Sequence, residues 1–70
     1  MLFKTYINGT FKCNMFDERL KSYLNWYNVN LDTIHKAMNS NIGETGYTCI
    51  RDEDMTGGDF EIGFSWKRIK

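Results

Sequence analysis

The chain has 70 residues, a formal net charge of zero and an apolar fraction of 41%. This length gives room for one domain, residues 1–70, and a domain of this size buries only about 60% of its unfolded surface, so its stability is small. The apolar fraction argues against disorder, and no apolar run approaches the roughly 20 residues that span a bilayer. We therefore expect a cytoplasmic protein that does not contact a membrane.

The first 16 residues form two alternating runs on either side of Asn8-Gly9. Asn-Gly between such runs predicts a β-hairpin. A two-residue loop would place Lys4 opposite Cys13, within the apolar row. We therefore expect a three-residue loop, which pairs Thr5 with Phe11 and gathers the apolar side chains on one face.

The middle of the chain predicts two helices. The first begins at Asp17, whose charge suits the positive end of the helix dipole, and it has apolar residues at i, i+3, i+4 and i+7. Asn30 is expected to cap a second, shorter helix. The apolar stripe of the first helix comprises Leu20, Tyr23, Leu24 and Tyr27, and that of the second comprises Leu31, Ile34 and Met38.

The C-terminal third predicts two further strands. Residues 60–67 alternate large apolar with small or polar side chains, the pattern of a half-buried strand, and residues 47–51 form a shorter one. The order ββααββ indicates an α+β fold, in which a four-stranded, mostly antiparallel sheet carries one or two helices on one face. Seven residues are expected in the core: Phe3, Phe11, Leu20, Leu24, Phe60, Ile62 and Phe64.

The run 52–59 is predicted to be an acidic loop between these strands. Residues 41–61 contain six acidic residues against the single basic residue Arg51. A turn does not require this charge, so we expect the acids to face a basic surface of a protein partner. Trp26 lies at the margin of its helix stripe and is a candidate anchor. The expected partner-binding residues are Asp52, Glu53, Asp54, Asp59 and Trp26.

No pattern in the sequence predicts catalysis, a cofactor or a metal site. His35 has no local partner that would nominate a nucleophile, so an enzyme is not expected. Cys13 and Cys49 show no CxxC-type spacing and are expected to be buried, reduced thiols. The acidic run lacks the bidentate acid of a calcium loop, because Gly63 stands at its twelfth position.

Residues 23–39 resemble a helix-turn-helix of the repressor kind. In that resemblance Asn28 replaces the usual turn glycine, and Leu31 to Met38 would be the recognition helix. A small DNA-binding regulator is therefore the alternative function. Leu24 is bulky where the crossing helices need Ala or Gly, and zero net charge provides no broad phosphate-neutralising surface, so a nucleic-acid partner is not expected.

The composition as a whole carries a second resemblance. A chain without proline, with seven Asn and eleven aromatic residues, resembles small accessory proteins of bacteriophages that bind and inhibit or redirect a host protein. This resemblance implies a non-enzymatic protein-binding module in the host cytoplasm, acting on a host enzyme or defence system by occlusion or acidic mimicry. It assigns no residues, and a homodimer stays open as an alternative to a monomer.

Overall fold

The computed structural model describes residues 1–53 and 59–70, and the side chains of residues 1–51 and 61–70. Its elements confirm the predicted ββααββ order and the α+β class. The third and fourth strands begin earlier than the sequence predicted, and the third also ends later, so Asp52, Glu53 and Asp59 belong to strands. The elements are β1 Leu2–Ile7, β2 Thr10–Phe16, α1 Asp17–Trp26, α2 Leu31–Met38, β3 Thr45–Glu53 and β4 Asp59–Arg68.

The four strands form one antiparallel sheet in the order β2-β1-β4-β3. The last strand in the sequence therefore lies inside the sheet, between the first and the third. Thr5 pairs with Trp66 across β1 and β4, and Ile50 pairs with Ile62 across β3 and β4. The two helices connect the two edge strands, β2 and β3, and they pack on one face of the sheet.

The β1–β2 turn differs from the predicted one. The loop contains only two residues, and both have positive φ, 49° at Asn8 and 82° at Gly9, as type I′ hairpin turns require. A bulge then corrects the register: Tyr6 pairs with Phe11 but Thr5 pairs with Cys13, so Lys12 has no partner on β1. The bulge keeps Lys4 out of the apolar row without a third loop residue.

The buried core lies between the helices and one face of the sheet. Phe3, Leu20, Leu24 and Phe64 are fully buried, as predicted, and Ile62 is half-buried against them. Phe60 lies outside the residues whose side chains are described. The prediction for Phe11 is wrong. The remaining members of the core are Met15, Ile34, Ala37, Ile50 and Trp66.

The bulge explains why Phe11 is not in the core. Because Phe11 pairs with Tyr6 rather than Thr5, its side chain points away from the helices, and it is 51% exposed. The ring packs against Tyr6, with centroids 6.2 Å apart and an angle of 77° between the planes. Lys12, the bulged residue, lies on the helical side, with Nζ 5.6 Å from the centroid of the Tyr23 ring.

The ends of the helices are held by polar contacts. The backbone N–H of Asp17 donates to the carbonyl oxygen of Met1 at 3.1 Å. Asn30 caps α2 as predicted, because its Oδ1 accepts from the backbone N–H of Asp32 at 2.7 Å. The carbonyl of Ser40, beyond the end of α2, accepts from Nη1 of Arg68 on β4. Neither helix in the described part of the chain is long and apolar enough to cross a membrane.

Candidate binding surface

Neither helix of the described residues covers the second face of the sheet. Side chains that alternate with the core residues point to this face, which we call the uncovered face. One transverse row of it runs across all four strands, because Phe11 pairs with Tyr6, Tyr6 with Ser65, and Ser65 with Tyr47. Three of these four side chains are aromatic, and we call the four residues the aromatic row.

The outer rings of the aromatic row are open to solvent. Tyr47 is 65% exposed and Phe11 is 51% exposed, whereas Tyr6 between them is half-buried. A shallow depression of about 440 Å³ lies between Tyr6 and Tyr47, with Ser65 and Lys67 in its lining. The row therefore presents aromatic surface at both ends and a polar hollow between them.

Tyr47 lies over a glycine on the neighbouring strand. A Cβ atom added to Gly63 would stand 2.9 Å from Oη and 3.1 Å from Cε2 of Tyr47, so only glycine leaves room for the ring. The hydroxyl lies 3.4 Å from Sγ of Cys49. This hydrogen bond, and then the charge of the Cys49 thiolate, raises the pKa of Tyr47 above its ordinary value, with smaller contributions from desolvation and Glu61.

The hairpin turn fixes the backbone beneath Tyr47. The N–H of Asn8 donates to the carbonyl of Gly63 at 2.7 Å. The N–H of Gly63 donates in return to Oδ1 of Asn8 at 2.9 Å. Asn8 thus continues the β1–β4 ladder one step beyond the end of β1. Both backbone polar groups of Gly63, the residue beneath the Tyr47 ring, form hydrogen bonds with Asn8.

Two lysines stand directly opposite each other in the row beside the aromatic row. Lys4 on β1 pairs with Lys67 on β4, and both are exposed. Nζ of Lys4 lies 5.4 Å from the centroid of the Phe11 ring. Like charges directly opposite each other destabilise a sheet. Among the described residues neither lysine forms an ion pair, so the repulsion between them is not neutralised there.

The other charged side chains that the structure describes on the uncovered face offset each other. Arg51 pairs with Glu61 across β3 and β4, and both are exposed. Opposite charges at paired positions attract, in contrast to the two lysines. Among the residues whose side chains are described, the Lys4–Lys67 pair is therefore the net charge on this face.

The structure brings none of the sequence-predicted partner-binding residues onto the aromatic row. Trp26 ends α1 and is 81% exposed, so its exposure agrees with an anchor at the helical layer. The side chains of Asp52, Glu53 and Asp59 and the whole of Asp54 lie outside what the structure describes. The acidic loop as a binding element stays a prediction.

The helix-turn-helix resemblance fits the local geometry. Asn28 has φ of 57°, the left-handed conformation that the turn glycine adopts in that motif. Ile34 and Ala37, which stand at the inward positions of the motif, are buried, and so is Leu24, the bulky residue at a position where the motif needs Ala or Gly. α2 contains eight residues, and its exposed side includes Asp32, so an acidic group would face a phosphate backbone.

The two thiols occupy opposite faces of the sheet. Cys13 is half-buried on the core face, and Cys49 is exposed beside Tyr47, so the expectation of two buried thiols is wrong for Cys49. Ile50 points to the core, and its neighbour must therefore point away. Both cysteines are free. Within the described residues no group of three His, Cys, Asp or Glu side chains is placed to hold a metal ion.

Sequence reasoning missed the residues of the uncovered face. Tyr47 was placed on a strand without a role, and Phe11 was assigned to the core. The signal available was the Asn-Gly turn, whose two-residue form pairs Phe11 with Tyr6. Comparison with known proteins adds no further guide, since no family model, no curated protein and no solved structure matches this chain.

Proposed function

We propose that this protein is a non-enzymatic binding module and that the uncovered face is the surface that contacts its partner. The aromatic row carries this proposal. Tyr and Phe are enriched at the centres of interfaces, because they cover much area with few rotatable bonds. Phe11 and Tyr47, at the two ends of the row, are each more than half exposed, as is Phe16 at the end of β2.

The rigidity of the row supports the same proposal. Tyr6 and Phe11 hold each other edge to face, and Tyr47 is confined between Gly63 and Cys49. Side chains that are ordered before binding lose little conformational entropy on association. An exposed ring without such contacts would lose more.

A second candidate uses the helical layer. Trp26 at the end of α1 is 81% exposed, and an exposed Trp commonly anchors a protein partner. Trp26 and the acids at 52–54 and 59 are the residues that the sequence predicts for an inhibitor that occludes a basic region of a host enzyme or defence protein. Trp26 lies in the helical layer and not in the aromatic row, so the two candidates can be tested separately.

The experiment compares matched variants as baits in cell lysate, with protein and nucleic acid both recovered. Tyr47→Ser removes an exposed ring of the uncovered face, and Trp26→Ser removes the exposed indole of the helical layer. Ile42→Ser, at a residue 68% exposed between α2 and β3, controls for the loss of exposed apolar surface. Loss of the captured partner with Tyr47→Ser alone supports our proposal. Loss of the captured partner with Trp26→Ser alone would mean that the second candidate, the surface that includes Trp26, contacts the partner.

A further inference from the structure

We infer that the uncovered face binds single-stranded nucleic acid, with bases stacked on the aromatic row and the backbone at the Lys4–Lys67 pair. This inference rests on the proposed function and names its partner. The observation behind it is the juxtaposition of two features. A row of exposed rings lies beside a lysine pair that the described residues do not neutralise.

The lysine pair defines the charge of the ligand. The two side chains repel each other in the free protein, and an anion between them would replace this repulsion by attraction to both. Nζ of Lys4 also lies near the Phe11 ring, so an anion bound at Lys4 would lie close to the part of the ligand that contacts that ring. The ligand must therefore carry negative charge adjacent to the group that contacts the rings.

The aromatic row defines the shape of the ligand. Tyr47 lies along the sheet over Gly63, which leaves its outer side open for a flat group. Three interstrand steps separate Phe11 from Tyr47, a distance of about 14 Å at the usual strand spacing. One class of RNA-binding module uses a four-stranded sheet whose aromatic residues stack two or three unpaired bases. A nucleotide chain repeats the required pair of groups, a planar ring and an anion.

Other occupants fit these features less well. A second copy of the chain, placed face to face, would present another lysine pair of the same sign rather than an anion. An intact duplex presents phosphates but keeps its bases stacked on each other, so it cannot use the rings. With zero net charge the protein cannot neutralise many phosphates at once. Stacking of bases on aromatic rings does not require a net charge, so it can still contribute to affinity. Binding is therefore expected to depend more on the rings than on salt.

The direct test is a titration of the protein with a labelled 12-nucleotide single strand. Three matched ligands accompany it: the corresponding duplex, an abasic strand with the same phosphates, and a glutamate peptide of equal charge. The single strand should bind at least about tenfold more tightly than any of them, because only it offers unpaired bases. Two phosphate contacts predict a slope of log K against log salt of about −1.4.

Variants at Tyr47 separate stacking from general apolar contact. Tyr47→Phe keeps the ring and should keep the affinity within about twofold, whereas Tyr47→Leu keeps apolar surface but removes the planar ring. Loss of one stacked base is expected to weaken binding about 5- to 100-fold. Because Tyr47 is 65% exposed, both variants should retain the thermal midpoint, which confirms that the fold is intact.

Variants at Lys67 test the charge component. Lys67→Gln should reduce the salt slope by about 0.7, the contribution of one phosphate contact to a single strand. Lys67→Arg should preserve the slope. Lys36→Gln removes an exposed lysine from α2, which belongs to the helical layer rather than to the row of Lys4 and Lys67, and should leave the salt slope unchanged. If Lys36→Gln weakens binding and Lys67→Gln does not, the helix-turn-helix alternative replaces this inference.

Three results would overturn the inference: equal binding of the abasic strand, unchanged affinity in Tyr47→Leu, or no binding of the single strand at about 100 μM protein in low salt, where electrostatic attraction is least screened. The proposed function fails differently. If the single strand does not bind, but the wild type captures a protein from lysate that Tyr47→Ser does not capture, the uncovered face remains the binding surface and the partner is a protein.

Discussion

Arg68 on β4 donates a hydrogen bond from its guanidinium to the carbonyl oxygen of Ser40, beyond the end of α2. Its Nε donates to the carbonyl of Lys70 at 3.0 Å. Ser40 is only 8% exposed, so its carbonyl has little access to water if Arg68 is removed. This one side chain therefore connects the helical layer to the sheet.

Arg68→Met is expected to lower the free energy of unfolding by about 1–3 kcal/mol, because a buried acceptor loses its charged donor. Urea denaturation measures the loss. Lys21→Met, at an exposed lysine of α1, is the control and should change stability by less than about 0.5 kcal/mol. Equal stability of the two variants would mean that water replaces the guanidinium.

The two strand glycines should respond differently to alanine. A Cβ atom at Gly46 would collide with the indole of Trp66, which is 3% exposed and cannot move aside. Gly46→Ala should therefore cost about 1–3 kcal/mol. At Gly63 the added Cβ meets the exposed ring of Tyr47, which can turn away. Gly63→Ala should fold normally, with a thermal midpoint close to that of the wild type, and should impair only the binding surface.

Phe64 and Phe11 provide a matched test of the two faces of the sheet. Phe64 is fully buried and stacks on Tyr23 at 4.7 Å between centroids, so Phe64→Ala should cost about 3–5 kcal/mol. Phe11→Ala removes a half-exposed ring and should cost less than about 1.5 kcal/mol. If Phe64→Ala does not fold, Phe64→Leu gives the same ordering with a smaller loss. Equal losses would contradict the register of the bulged hairpin.

The phenol of Tyr47 should titrate at higher pH than an ordinary tyrosine. Its hydrogen bond to Cys49 raises its pKa, so Cys49→Ala should lower the pKa towards the ordinary value. A folded pKa above the unfolded one stabilises the fold below the unfolded pKa, and this stabilisation is lost as pH rises through the folded pKa. The absorbance of tyrosinate, with Tyr47→Phe subtracted, measures the titration. An unchanged titration in Cys49→Ala would exclude the thiol as the cause.

Sequence reasoning predicted the elements because their signals are local. Alternation located the strands, the stripe containing Leu20 and Leu24 located α1, and Asn30 located the start of α2. It failed at Phe11 because counting alternate residues assumes an unbroken ladder of pairs. The bulge at Lys12 moves the β2 residues that precede it to the opposite face from the one that counting assigns. The three-residue loop was expected because a two-residue loop with an unbroken ladder would place Lys4 in the apolar row. The bulge keeps Lys4 out of that row with a two-residue loop as well.

The candidate surface was harder to predict than the fold. Its rows assemble from residues far apart in the sequence, such as Lys4 with Lys67 and Tyr6 with Tyr47 through Ser65. Their pairing depends on β4 lying between β1 and β3, an order that the strand patterns do not encode. Which face the helices leave open is likewise a property of the whole packing, so Tyr47 could not be assigned to it from β3 alone.

The position of β4 also dictates how the chain can reach its native state. The β1–β2 hairpin and both helices precede β4 in the sequence, yet β1 has no second neighbour until β4 arrives. Pairing of Phe3 with Arg68 closes a loop of more than 60 residues, a non-local contact that slows folding. Until that closure, the inner edge of β1 offers unpaired backbone groups to any other strand, including one from a neighbouring chain. The same arrangement that builds a rigid four-stranded surface thus leaves the early folding species prone to aggregation at high concentration.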